Sequence, residues 1–478
     1  MKHLVTGSIL GLSLLAASGH AATGLSGDTW VAHYNQDIKP WYLDAGAQGV
    51  PAGNFPSYRQ LTGVEARSPR FVRMLGRQTY TYAMGFNLTG DDRLLRLAFA
   101  GMNWQLDHAR HDGGGFYPLL DEQGRTIPGY PLSAQDQAYS QVGLAAIYAV
   151  TRDARAKAEL DAMRHLILRG IYWDADKGTV KDAFTDNYGD ESGFEAPGND
   201  LVSVLDQINS YLLLYQNQNP DGQEKLAQLD ELKLLADRVV DGFWADGVFW
   251  NTDENRSDYG ASHVDVGHTV KAYWLLNEIG RKWARIHGHD PYRWLVQRYG
   301  QAVLGAAFNS ETNAWNQRFD EDYRVTHGSD PAWWIFCEAD QFAGRLAMEN
   351  PAWLYVLKRT TDFWLDGNFI DRGRPQRGIR EGIRGDGSLY GDNDVWESKQ
   401  NNWKNGYHET EHALMMYLTM QARRGLPVTL YFAVTPAQLA TFAPQPYYFE
   451  ADVTSQEVVS DVNDLGLVKV KVEFTNLR

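Results

Sequence analysis

The feature that most narrows what this chain can fold into is an internal repeat. An apolar, aromatic-rich stretch with helical spacing runs into a short polar turn, and the pattern returns five times. It covers 80–86 with Thr89-Gly90-Asp91, 139–150 with Thr151-Arg152-Asp153, and 211–215 with Asn219-Pro220-Asp221. It then covers 273–283 with Gly288-His289-Asp290 and 342–348 with Asn350-Pro351. The aligned turn positions 91, 153, 221, 290 and 350 are separated by 62, 68, 69 and 60 residues, the length of a helical hairpin with its connections. A second amphipathic stretch follows each turn and ends in an aromatic cluster: Asn103-Trp104, Tyr172-Trp173, Phe243-Trp244, Ala307-Phe308 and Phe363-Trp364. With a last helix over 408–420, about six helix pairs fit, the count that closes an all-α (α/α)6 barrel. Such a ring surrounds a cavity with its inner helices and places the chemistry at one rim.

The two ends depart from the repeat. Lys2 and His3, an apolar run over 4–17 and small residues up to Ala21 read as an export leader over 1–21, which implies a periplasmic or secreted protein. The run is too short to span a bilayer. The barrel is expected over 22–425 and a small β-rich extension over 426–478, with strands at 428–432, 447–449 and 467–474; the last alternates with period two. That extension either caps a monomer or builds a homodimer. The single cysteine, Cys337, lies among Trp333, Trp334, Ile335 and Phe336 and reads as a buried hydrophobe, which leaves no intrachain disulfide and no cysteine-based zinc site. A net charge of −15 argues against nucleic acid or anionic lipid as partner. A neutral mono- or oligosaccharide suits it better.

Four segments fall where inner helices begin. Arg77 opens one; Gly267-His268 opens another, within the run to Trp274-Leu275-Leu276; Trp333-Trp334 precedes Glu338; and Lys404-Asn405-Gly406-Tyr407-His408 opens the last. His268 and His408 are 140 residues apart, two repeats, so both can face one cavity. Together with Gly101-Met102-Asn103-Trp104, Asp112-Gly113-Gly114-Gly115-Phe116 and Gln135-Asp136-Gln137-Ala138-Tyr139, these stretches resemble the N-acylglucosamine 2-epimerase superfamily. That superfamily includes cellobiose 2-epimerases and aldose-ketose isomerases, and the likeness spans most of 28–422.

The resemblance implies proton transfer at carbon 2 of a ring-opened sugar, without cofactor or metal. A C–H beside a carbonyl is a very weak acid, so the site needs a base that works near neutral pH and a cation for the developing enediolate. By resemblance, His268 and His408 are the acid/base pair and Arg77 is the cation. Tyr139, Asp206, Trp333, Trp334, Glu338, Lys404 and Tyr407 are candidates for substrate contact. Arg77 has a structural alternative, a pairing with Glu338. The chain also departs from the family: Asp206 stands where a third histidine is usual, and Lys271 where an acidic residue follows His268. Asp206, Glu338 and Asp265 would suit a secreted glycoside hydrolase or lyase on the same toroid, and a glycan-binding protein without chemistry is the third possibility. The loops 180–200 and 372–403, rich in Gly, Asp and Asn, are expected to set the substrate.

Overall fold

The computed structural model describes residues 23–67, 69–192, 200–252, 261–319, 330–391 and 395–478; the expected leader, 1–21, lies outside them. Within these residues twelve helical segments alternate between an outer and an inner layer. In chain order they are α1 (27–43), α2 (Val72–Thr89), α3 (Asp92–His108), α4 (Ala134–Thr151), α5 (Ala154–Leu168), α6 (201–218), α7 (Gly222–Arg238), α8 (Val266–His287), α9 (293–307), α10 (Trp333–Ala347), α11 (Trp353–Asp366) and α12 (Tyr407–Arg423). Even-numbered helices are inner and buried nearly all round; odd-numbered ones bury one face, as amphipathic outer helices should. None of them is long and apolar enough to cross a membrane.

Three of the five polar turns of the repeat prove to be helix caps. Asp91, Asp153 and Asp221 accept hydrogen bonds from the first free amides of α3, α5 and α7, while Asp290 and Asn350 brace the turns just ahead of α9 and α11 by accepting from the amides of Tyr292 and Ala352. An outer helix has to restart within a few residues of the preceding inner one, and a capping carboxylate or amide at that corner satisfies its orphan donors. The aromatic clusters also acquire a definite place. Trp173, Trp244 and Phe308 begin miniature antiparallel hairpins in which they pair with Val180, Phe249 and Trp315.

The sixth inner helix, α12, has no outer partner after it in the chain. The N-terminal α1 takes that place: the Trp30 ring lies 4.6 Å from His412, and the Tyr42 hydroxyl donates to Glu409 at 3.0 Å. The first and last helices therefore form the seam that closes the ring.

Behind the ring, three antiparallel strands, β1 (Val428–Val434), β2 (Asp452–Val462) and β3 (Leu467–Thr475), form a sheet in the order β1-β3-β2. The outer two expectations for the tail hold, while the middle one is corrected. Residues 447–449 are not a strand but a tight turn, with Tyr447 at a left-handed φ of 59°. This turn is driven into the base of the barrel, where Asn217 Nδ2 donates to the carbonyls of Tyr447 and Phe449 at 2.6 and 2.9 Å. The third strand is instead β2, an edge strand exposed along nearly its whole length, so its sequence carries no alternating apolar face to read. Barrel and tail share one continuous buried core.

Candidate active site

The first two turns of five of the six inner helices frame a cleft of about 270 Å³; α6 lies one layer behind it. Arg77 comes from α2, Gln135 and Tyr139 from α4, His268 and Lys271 from α8, Trp333 and Trp334 from α10, and His408 from α12. Converging helix N-termini favour negative charge at their focus. The rim adds His263, Gln317, Glu381, Trp396 and Trp403.

Asp265 does two jobs at the start of α8. One oxygen accepts from the His268 amide at 2.8 Å, capping the helix, and the other lies 2.8 Å from His268 Nδ1. Cap and imidazole are thus fixed by one carboxylate, leaving Nε2 of His268 for other partners. Trp334 packs edge-on against His268 with centroids 4.7 Å apart and sits 6.1 Å from His408. It can come so close only because position 267 is glycine, whose hypothetical Cβ would lie 2.5 Å from the indole ring. Burial, followed by the nearby Arg77 and Lys271 cations, holds the His408 imidazole well below the usual histidine range, so it is neutral near pH 7.

Arg77 is not paired with Glu338. Its guanidinium stacks 3.7 Å over Tyr139, Nη1 donates to the Trp403 carbonyl at 2.8 Å, and Nε has no partner among the described residues. A buried cation held by a ring face and one carbonyl keeps donors for an anion in the cleft.

Other expected contacts lie one layer deeper. Asp206 is fully buried, 2.5 Å from Lys271 Nζ and 2.9 Å from Gln135 Nε2. Burial alone would raise its pKa, but Lys271 outweighs this and keeps the carboxylate ionised; Asp206 in turn holds the lysine charged against its own burial. The two departures from the family pattern are therefore one ion pair. Lys404 is buried against Glu409, at 2.8 and 2.9 Å, and the Tyr407 hydroxyl accepts from Asn209 at 3.1 Å. Neither lines the cleft. Glu338 is buried beneath His408, with Trp274 Nε1 donating to it at 2.6 Å.

His263 escaped sequence reasoning. It sits five residues before His268, its Nδ1 is 3.3 Å from Asp200, the capping residue of α6, and its ring is 5.0 Å from that of His268. Burial works against its charge, but Asp200 outweighs it and raises the pKa. A second histidine just ahead of a helix that already starts with one was the available signal. Trp396 and Trp403, more than a third exposed, come from the loop expected to set the substrate.

The N-acylglucosamine 2-epimerase (GlcNAc 2-epimerase) family profile matches residues 53–352. The chain belongs to this family. Its fold is that of a cellobiose 2-epimerase from Spirochaeta thermophila, with a TM-score of 0.70 at 18% identity over 83% of this chain and 96% of that one. A D-mannose isomerase aligns with a TM-score of 0.69 at 14% identity, over 84% and 100%. A GH76 α-mannanase from Bacteroides thetaiotaomicron shares the toroid more distantly, with a TM-score of 0.51 at 12% identity, over 84% and 96%. No curated protein sequence matches significantly.

Proposed function

We propose that this N-acylglucosamine 2-epimerase family member is a carbohydrate 2-epimerase or aldose-ketose isomerase that moves a proton at carbon 2 through an enediolate. The observation that carries this reading is the convergence of His268 and His408 on one cleft around Trp334, beside an Arg77 that pairs with no carboxylate among the described residues. His408, kept neutral, is suited to abstract a proton. His268, backed by Asp265, is suited to return one, and Arg77 with the helix N-termini stabilises the oxyanion between them. Return to the opposite face of carbon 2 gives the epimer; return to carbon 1 gives the ketose.

A cyclic aldose has no carbonyl until its ring opens, which needs a proton moved between the anomeric hydroxyl and the ring oxygen. Asp206 is committed to Lys271, so this role falls to His263 with Asp200. The hydrolase reading needs two carboxylates across the scissile bond. Among the described residues, only Glu381 offers one to the cleft.

Proton NMR of free aldoses and disaccharides with the protein in heavy water tests the reading. Loss of the carbon 2 proton, with a new sugar appearing, is the expected result. Exchange should vanish in His268→Ala and His408→Ala, while His263→Gln should slow it only for sugars that are mostly cyclic. Wild-type exchange in either alanine variant would sink the two-histidine mechanism.

A further inference from the structure

Beneath His408 three polar atoms face one another without hydrogen-bond partners among the described residues: His408 Nδ1, Glu338 Oε1 and Glu411 Oε2. Nδ1 and Oε1 are 3.3 Å apart, and the three side chains approach one another within 4.8 Å. All are buried. Two carboxylates this close, out of water, cannot both be ionised without a compensating charge. The remaining oxygens are already used. Trp274 donates to Glu338, and Tyr447 and Tyr448, from the turn of the C-terminal tail, donate to Glu411 Oε1 at 2.5 and 3.2 Å. Tyr80 of α2 completes the chain with its hydroxyl 2.7 Å from that of Tyr447.

We infer that Glu338 and Glu411 share a single proton under His408, and that the C-terminal tail holds this pair in place, so that Glu411, Tyr447 and Tyr448 are positioning residues of the site. The inference rests on the epimerase or isomerase reading for its link to catalysis, but the shared proton itself does not. Burial, followed for Glu411 by the Glu338 charge, raises both carboxyls, as such a pair requires. The charged and titratable groups facing it are Arg77 and Tyr80 from α2, Asp206 from α6, His268 and Lys271 from α8, Tyr407 and His408 from α12, Lys404 from the preceding loop, and the two tail tyrosines. Lys271 and Arg77 already bring positive charge near the pair, which favours a proton over a divalent ion at its centre.

The direction of the effect follows. With one proton shared, a single negative charge lies under His408; when that proton leaves at higher pH, the charge doubles. A tyrosine hydroxyl that donates to Glu411 stabilises the ionised form, so its removal must move the loss of the proton to higher pH. The test is titration of full-length protein labelled with 13C at histidine Cε1, with the His408 resonance assigned from His408→Gln, alongside the pH profile of carbon 2 exchange. In wild type the His408 signal should show a second inflection near neutral to mildly alkaline pH. Tyr447→Phe should move it up by about one to two pH units, the worth of one hydrogen bond to a charge, and shift the alkaline limb of kcat with it while KM stays put. Glu411→Gln should erase both; Tyr447→Phe, which removes one hydroxyl, keeps the test available if that variant is too unstable. An inflection unmoved in Tyr447→Phe overturns the inference, whatever the activity. So does a stoichiometric metal in purified wild type that Glu411→Gln loses, since the ion would then hold the proton's place. An inflection that behaves as described in a protein that exchanges no sugar leaves the pair standing and removes the epimerase reading.

Discussion

At the scale of single residues, His268, His408, Arg77 and Trp334 were legible because each follows the start of a helix that the repeat had already located. His263 was not, because it lies in the connection before α8, where no periodicity marks which side chains turn inward. Burial depth was also invisible in the sequence. Asp206, Lys404 and Tyr407 sit in the right segments but one layer too deep, a distinction that depends on how far neighbouring helices approach. The Lys271–Asp206 pair gives the sharpest prediction at this scale, with both side chains buried. Lys271→Ala strands a buried carboxylate and should cost about 3–5 kcal/mol, read from urea midpoints. Lys271→Met with Asp206→Leu should recover most of that loss, because neither charge is then left alone. If Lys271→Ala proved as stable as wild type, water would have to reach Asp206.

At the scale of elements, the repeat was read correctly because helices and their caps are local. Of the five turn positions found by alignment three are helix caps and two brace the turn just before the helix, and nothing distant had to be known to find them. The middle of the tail was misread for the opposite reason: 447–449 looks like strand by composition, yet its conformation is imposed by the barrel floor it enters, and β2 is recruited by β3 despite an exposed polar face. The caps are not equivalent in function. Asp153→Ala should cost about 1 kcal/mol in thermal or urea unfolding and leave turnover unchanged. Asp265→Ala should cost a similar amount and also lower turnover by about 100-fold, because His268 loses the group that fixes its tautomer. Equal turnover in the two variants would show that Asp265 is a cap and nothing more.

At the scale of the whole molecule, barrel and tail share a core, so they should unfold together. Tryptophan fluorescence and far-ultraviolet circular dichroism are expected to give coincident urea transitions; an early, separate transition would mean that the tail docks on a barrel that stands without it. The seam between α1 and α12 has a consequence for how the molecule comes into being. Tyr42 must find Glu409 across 367 residues of chain. The entropy of such a closure grows only with the logarithm of its length, but the search slows folding. Until that contact is made there is no ring, and without a ring His408 has no cleft to enter. Unlike a solenoid, which gains a working surface one repeat at a time, this architecture has no complete cleft until both of its ends are in place. A nascent or clipped chain lacking either end is therefore expected to show no partial activity, so that activity reports on the joining of the two ends.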